Sequence, residues 1–123
     1  MNEDAARNHD GGAAALRKAT GLLGLARRAG QTVSGEDGAI ALIRKGNAAL
    51  ALMDEATGPN TSKRLADACR YHNVTLSRLP EGMLGDAIGK PNRMVAAVQK
   101  GSLADSLSAA LMETAYIVKA ELA

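Results

Sequence analysis

A chain of 123 residues has the length of one domain and can bury a core without disulfides or a metal. Its apolar set is Ala, Leu, Ile, Val and Met, with no Phe, no Trp and only Tyr71 and Tyr116, which excludes a site that stacks several bases on aromatic side chains. The single Cys69 excludes an intrachain disulfide, no apolar run approaches a membrane span, and a formal charge of +2 leaves the class of partner open.

The first segment, MNEDAARNHDGGAAA, lacks apolar periodicity and contains a Gly-Gly pair, so residues 1–15 read as a disordered tail or linker and residues 16–123 as the domain. The first twelve residues set Glu3, Asp4 and Asp10 against Arg7, a balance of −2 that leaves +4 for the rest. No signal-peptide pattern opens the chain, and the expected location is the cytoplasm.

Leu16, Ala19, Leu22, Leu23, Ala26 and Ala29 recur at helical spacing, with Gly30 as a left-handed stop and Arg17, Lys18, Arg27 and Arg28 largely on the other face. QTVSG then predicts a short strand feeding a glycine-rich turn. Ser34 has the chemistry of an N-cap, Asp37 three residues on completes a capping box, and carboxylates in the first turn complement the helix dipole. Ile40 and Ile43 face the core of that helix, which ends at Gly46.

Ala48–Met53 is apolar on both alternating faces, the pattern of an interior strand covered on each side. After the loop DEATGPN, Asn60 or Thr61 caps a helix that buries Leu65, Ala68 and Cys69 and ends near Asn73. VTLSRL is the next strand, a short helix runs through Met83, Leu84, Ala87 and Ile88 to Gly89, and the loop KPNR leads into the strand MVAAV. The last helix begins at Ser102, with Asp105 in a second capping box, and runs through Leu107, Leu111 and Val118 towards the end. Alternating strands and helices predict an α/β fold, a sandwich with helices on both faces of a small sheet.

Three sets of residues invite chemistry. Cys69 and His72 stand one helical turn apart, but zinc needs further ligands and the only other histidine is His9 in the tail, so no metal and no cofactor is expected. Asp54 and Glu55 follow an interior strand, where adjacent side chains diverge and make a poor acid/base pair. The turn SGEDG lacks the Gly-Lys-Ser/Thr ending of a P-loop and the glycine spacing of a dinucleotide site, which argues against nucleotide hydrolysis. Two readings of the turn remain: a ligand-facing helix start, or a capped helix whose glycines only allow a tight turn.

LLGLARRAG, VSGED, IRKGNAALALMDEATGPNTSKRLADACRYHNV and LGDAIGKPNRMVAAV, in this order and spacing from roughly Thr20 to Gly101, resemble the ribosomal L-seven-Ae and L-thirty-e superfamily, and within it the YlxQ-like bacterial branch. The resemblance implies a three-layer α/β/α sandwich with a mixed four-stranded sheet. It also implies binding of structured RNA, typically the kink-turn, a sharp bend flanked by tandem sheared G·A pairs. The implied RNA-binding residues lie at the start of the helix after the first strand, Gly35, Glu36, Asp37, Gly38, Ala41 and Lys45, and in the loop before the last strand, Lys90, Pro91, Asn92, Arg93 and Met94.

On that reading Glu36 and Asp37 accept guanine N–H donors, Gly35 lets the backbone come close, and Lys45, Lys90 and Arg93 contact phosphates. The chain departs from the family pattern where kink-turn binders carry Asn-Glu and then a Lys one turn on, because these positions are Asp37, Gly38 and Ala41. The expected function is non-enzymatic binding of structured RNA, kink-turn or ribosomal, in a translation or ribosome-related role. The alternatives are a protein-interaction or ribosome-assembly module and, more distantly, a small hydrolase or transferase. Leu111, Met112, Ile117, Val118 and Leu122 give the last helix an apolar surplus that predicts a protein partner or self-association there.

Overall fold

The computed structural model describes residues 3–114 and 117–118 of the chain. Helix α1, Glu3–Arg28, begins well before the expected start. Residues 3–15, read as a tail or linker, lie within this helix, while Met1 and Asn2 lie outside the described residues. Alanines at positions 13, 14 and 15 offset the helix cost of the Gly-Gly pair, and Ala15 is buried on the same stripe as Ala19, Leu23 and Ala26.

Strand β1, Thr32–Ser34, leads into α2, Glu36–Arg44, and then β2, Ala48–Asp54. Helix α3, Pro59–His72, ends on Asn73 in the left-handed conformation, and β3 follows at Thr75–Leu79. The short α4, Met83–Ala87, precedes β4, Val95–Gln99, and α5, Ser102–Met112. A two-residue β5, Ile117–Val118, pairs antiparallel with β3.

Strand β4 lies between β1 and β2 and is antiparallel to both, whereas β2 and β3 run parallel. These four strands make the expected mixed sheet, and β5 extends its edge. Residue alternation along β2 and β4 sends Leu50, Leu52, Ala96 and Val98 under α1, α4 and α5, and Ala51, Met53, Val95 and Ala97 under α2 and α3. A bulge at Ala49 shifts the β2–β4 register by one residue. The result is a three-layer α/β/α sandwich with one core on each face of the sheet.

Two expectations fail for local reasons. All three predicted side-chain caps are replaced by glycine N-caps, Gly35, Gly58 and Gly101, none with a side-chain cap hydrogen bond. The Ser34/Asp37 and Ser102/Asp105 capping boxes do not form, because Ser34 stays in β1 and Ser102 is already helical. Helix α5 stops at Met112 instead of passing Val118. Its apolar residues Ala104, Leu107, Ala110 and Leu111 are buried against α1 and the sheet, and Met112 alone is a large exposed apolar residue in α5. Of the residues that predicted a docking face, Leu111 is core and Met112 is exposed, while Leu122 lies outside the described residues.

Candidate functional site

The β1–β4 pairing brings together two segments distant in sequence. Ser34 stands opposite Ala96, and the Gly35 N–H donates to the Val95 carbonyl at 2.9 Å, so the first turn of α2 sits beside the loop that enters β4. That loop is a turn closed by the Arg93 N–H on the Lys90 carbonyl at 2.9 Å, and the Lys90 N–H anchors it to the Gly85 carbonyl of α4 at 2.8 Å. Gly35 has φ +93°, and a Cβ there would lie 3.0 Å from the Arg93 guanidinium. A side chain at this position would therefore meet both backbone strain and the arginine.

Two depressions meet at Ser34 and Arg93. One, of about 480 Å³, is bounded by the first turn of α2, Gly35, Glu36, Asp37 and Gly38, and by Arg64 of α3. The other, of about 290 Å³, is lined by Arg27 at the end of α1, Thr32, Ile88 and Lys90. Among the described residues Arg27, Lys90 and Arg93 form no ion pair. The second depression thus presents three cations and two hydroxyl groups without a carboxylate, and the first holds both carboxylates.

The two carboxylates differ. Glu36 accepts from the Thr61 hydroxyl at 2.5 Å through one oxygen and from the Arg64 guanidinium through the other. Its side chain joins α2 to α3, and each carboxylate oxygen already has one donor within the protein. Asp37 is 95 % exposed, with Arg64 3.7 Å away, and keeps acceptor capacity towards solvent. Its place in the first turn of α2 is where a negative charge complements the helix dipole.

The remaining predicted residues separate into near and far. Pro91 and Asn92 are exposed in the turn between Lys90 and Arg93. Met94 is half-buried, packs on the core under α2 and α3, and accepts the Asp54 N–H through its carbonyl at 2.7 Å, so its side chain serves the sheet. Ala41 is exposed one turn along α2. Lys45, the C-cap residue of α2, lies roughly 13 Å along the axis from Glu36 at 1.5 Å per residue, and it lines neither depression. A Cβ on Gly38 would stand 2.7 Å from Val33 Cγ1, which explains the glycine: its open side faces β1.

Arg27 and Arg64 were not among the residues implied by the sequence. Arg27 read as part of a solvated helix face, and its one signal was the Arg-Arg pair in the last turn of α1. Arg64 carried no sequence signal, because only the packing of α3 on α2 brings it to Glu36.

The family model of the ribosomal protein L7Ae/L30e/S12e/Gadd45 family matches residues 17–107. The chain belongs to this family. It is similar to two curated proteins called RNA-binding protein YlxQ. It is 42% identical to that of Bacillus subtilis (strain 168) over 70% of this chain and 87% of the relative. For that of Enterococcus faecium the figures are 35% identity over 69% and 84%. Among solved structures, a Bacillus halodurans C protein of unknown function superposes with a TM-score of 0.72 at 32% identity, covering 77% of this chain and 97% of that one. The Giardia lamblia 15.5kD RNA binding protein shares the fold, with a TM-score of 0.64 at 17% identity over 93% and 90% of the two chains.

In this L7Ae-family chain the other candidate groups have structural tasks. Asp54 is buried at the end of β2, and its two carboxylate oxygens accept the N–H groups of Ala56 at 2.7 Å and Gly82 at 2.8 Å. Glu55 accepts the Glu81 N–H at 3.2 Å. Cys69 is fully buried, and burial pushes its thiol up to about 12, far from the range of a nucleophilic thiolate. His72 packs against Tyr71 edge to face, with ring centroids 4.9 Å apart. Among the described residues no three His, Cys, Asp or Glu side chains converge as metal ligands, and no helix is long and apolar enough to cross a membrane.

Proposed function

We propose that this chain binds structured RNA without catalysing a reaction on it, through the first turn of α2, the Lys90–Arg93 loop and Arg27. The carrying observation is the division of the site: Arg27, Lys90 and Arg93 around one depression, Asp37 beside the other, with Arg93 between them. A phosphate strand is drawn to the basic side and repelled from the acidic one. A base placed by that strand then presents its edge to α2, where Asp37 accepts guanine N–H donors. Glu36 fixes Arg64 beside Asp37 rather than reading a base itself. The RNA-binding names of the YlxQ relatives point the same way.

The RNA is a kink-turn or a comparably bent element, ribosomal RNA included, and the role lies in translation or ribosome assembly in the cytoplasm. A kink supports the geometry because a sharp bend turns a phosphate strand and an opened minor-groove edge towards the same side. Titration of the protein against a labelled kink-turn RNA and a matched duplex lacking the G·A pairs, at several salt concentrations, tests the reading. Preferential binding of the kink is expected. Equal and steeply salt-sensitive binding to both would remove the specificity and leave a phosphate-led binder, and no binding to either would overturn the proposal.

A further inference from the structure

A third depression, of about 580 Å³, runs between α2 and α3. Ile40 and Ala68 form its floor, and Arg44, Arg64, Tyr71 and His72 stand around it. Arg64 is also a wall of the depression at the start of α2, so the two are neighbours. The seven steps from Arg64 to Tyr71 span about 10 Å of α3, a length of one or two nucleotides beyond the site described above.

The chemistry here matches a nucleotide. Tyr71 is 86% exposed, so its ring adds little to the core of a chain that has only one other aromatic ring of the Phe, Tyr or Trp type. It stands at the end of α3, beside His72. Arg44 has no ion-pair partner among the described residues. The one carboxylate on the lining, Asp67, is held by Lys63 at 2.7 Å and Arg70 at 3.3 Å, so the groove faces an incoming strand with net positive charge. An exposed ring for a base next to an unpaired arginine, Arg44, for its phosphate is the arrangement that holds single-stranded nucleic acid.

We propose that the α2–α3 groove takes an unpaired nucleotide flanking the RNA element bound at the α2 start, with the base stacked on Tyr71 and its phosphate on Arg44. This rests on the RNA-binding reading, and it needs only one stacked base, in keeping with a chain so poor in aromatic residues. The unpaired guanidinium of Arg44, the exposed Tyr71 ring and the neighbouring primary site favour RNA over a peptide.

The test compares a kink-turn RNA without overhang with the same RNA carrying a two- or three-nucleotide single-stranded extension. Both are titrated against the wild-type chain and against Tyr71→Ala, Tyr71→Phe and Arg44→Ala. The extension is expected to tighten wild-type binding about five- to a hundredfold, the effect of one stacked base. Tyr71→Ala should lose that gain, Tyr71→Phe should keep it, and Arg44→Ala should flatten the salt dependence of the extended RNA alone. Wild-type binding of the short RNA with no gain from the extension would overturn the groove proposal and leave the primary site standing. A gain that persists in Tyr71→Ala would overturn it as well and leave the groove to a protein partner. Failure of the wild type to bind either RNA would remove both readings. Thermal unfolding of the variants separates lost binding from lost fold.

Discussion

Gly38 carries two demands at once. The family pattern implied by the sequence puts a base-reading side chain there, yet a Cβ would stand 2.7 Å from Val33 Cγ1. Gly38→Ala should cost about 1–3 kcal/mol in urea unfolding through overpacking, and Val33→Ala in the same chain should relieve much of that cost. Additive costs in the two variants would show that the contact is not what excludes a side chain. At Cys69 the buried thiol keeps its proton to about 12 in the folded state, against an ordinary value of 9.0. The unfolded chain therefore releases the proton first as pH rises, and stability should fall between about pH 9 and 12 at up to about 1.4 kcal/mol per pH unit. The signature is the extra slope of the wild type over Cys69→Ala in pH-dependent unfolding, together with native protection of the thiol from alkylation. Glycine and cysteine are both visible in the sequence, but their neighbours are not, and the neighbours assign the roles.

The elements were legible wherever a terminator has its own backbone preference. Gly30, Gly46, Asn73 and Gly89 adopt positive φ at or next to the predicted helix ends. Helix starts were less legible, since Ser34 and Ser102 have the chemistry of caps, yet the chain places glycine one residue away in each case. Asp54 shows the same limit. Its sequence position suggested chemistry, and its contacts tie the end of β2 to the loop at Ala56 and to Gly82 at the start of α4. Asp54→Ala leaves two backbone N–H groups without their acceptor and should cost about 2–4 kcal/mol, with Asp54→Asn costing roughly half as much. Equal stability of wild type and Asp54→Ala in denaturant titration would show that solvent replaces those bonds.

At the scale of the whole molecule, the candidate site is assembled because β1 and β4 are neighbours though sixty residues, 35–94, lie between them in the chain. Arg27 comes from α1, Lys90 and Arg93 from the loop before β4, and they share one depression. Single alanine substitutions at Arg27 and at Arg93 should each weaken RNA binding and lower the salt slope by about one, the double variant by about two, with unfolding midpoints unchanged. A normal slope in Arg27→Ala would take α1 out of the interface. The sequence by itself determined the alternation of elements, the ends of the first four helices and the family, because these depend on local backbone preference and on the order of short motifs along the chain. Only the tertiary structure decided that Arg27 and Arg64 stand beside the α2 start and the loop before β4, that Glu36 is tied to α3, that Lys45 stands apart and that Ala104, Leu107, Ala110 and Leu111 of α5 are core. Each of these depends on which surfaces pack together, and burial and charge pairing across distant segments leave no periodic mark in the sequence.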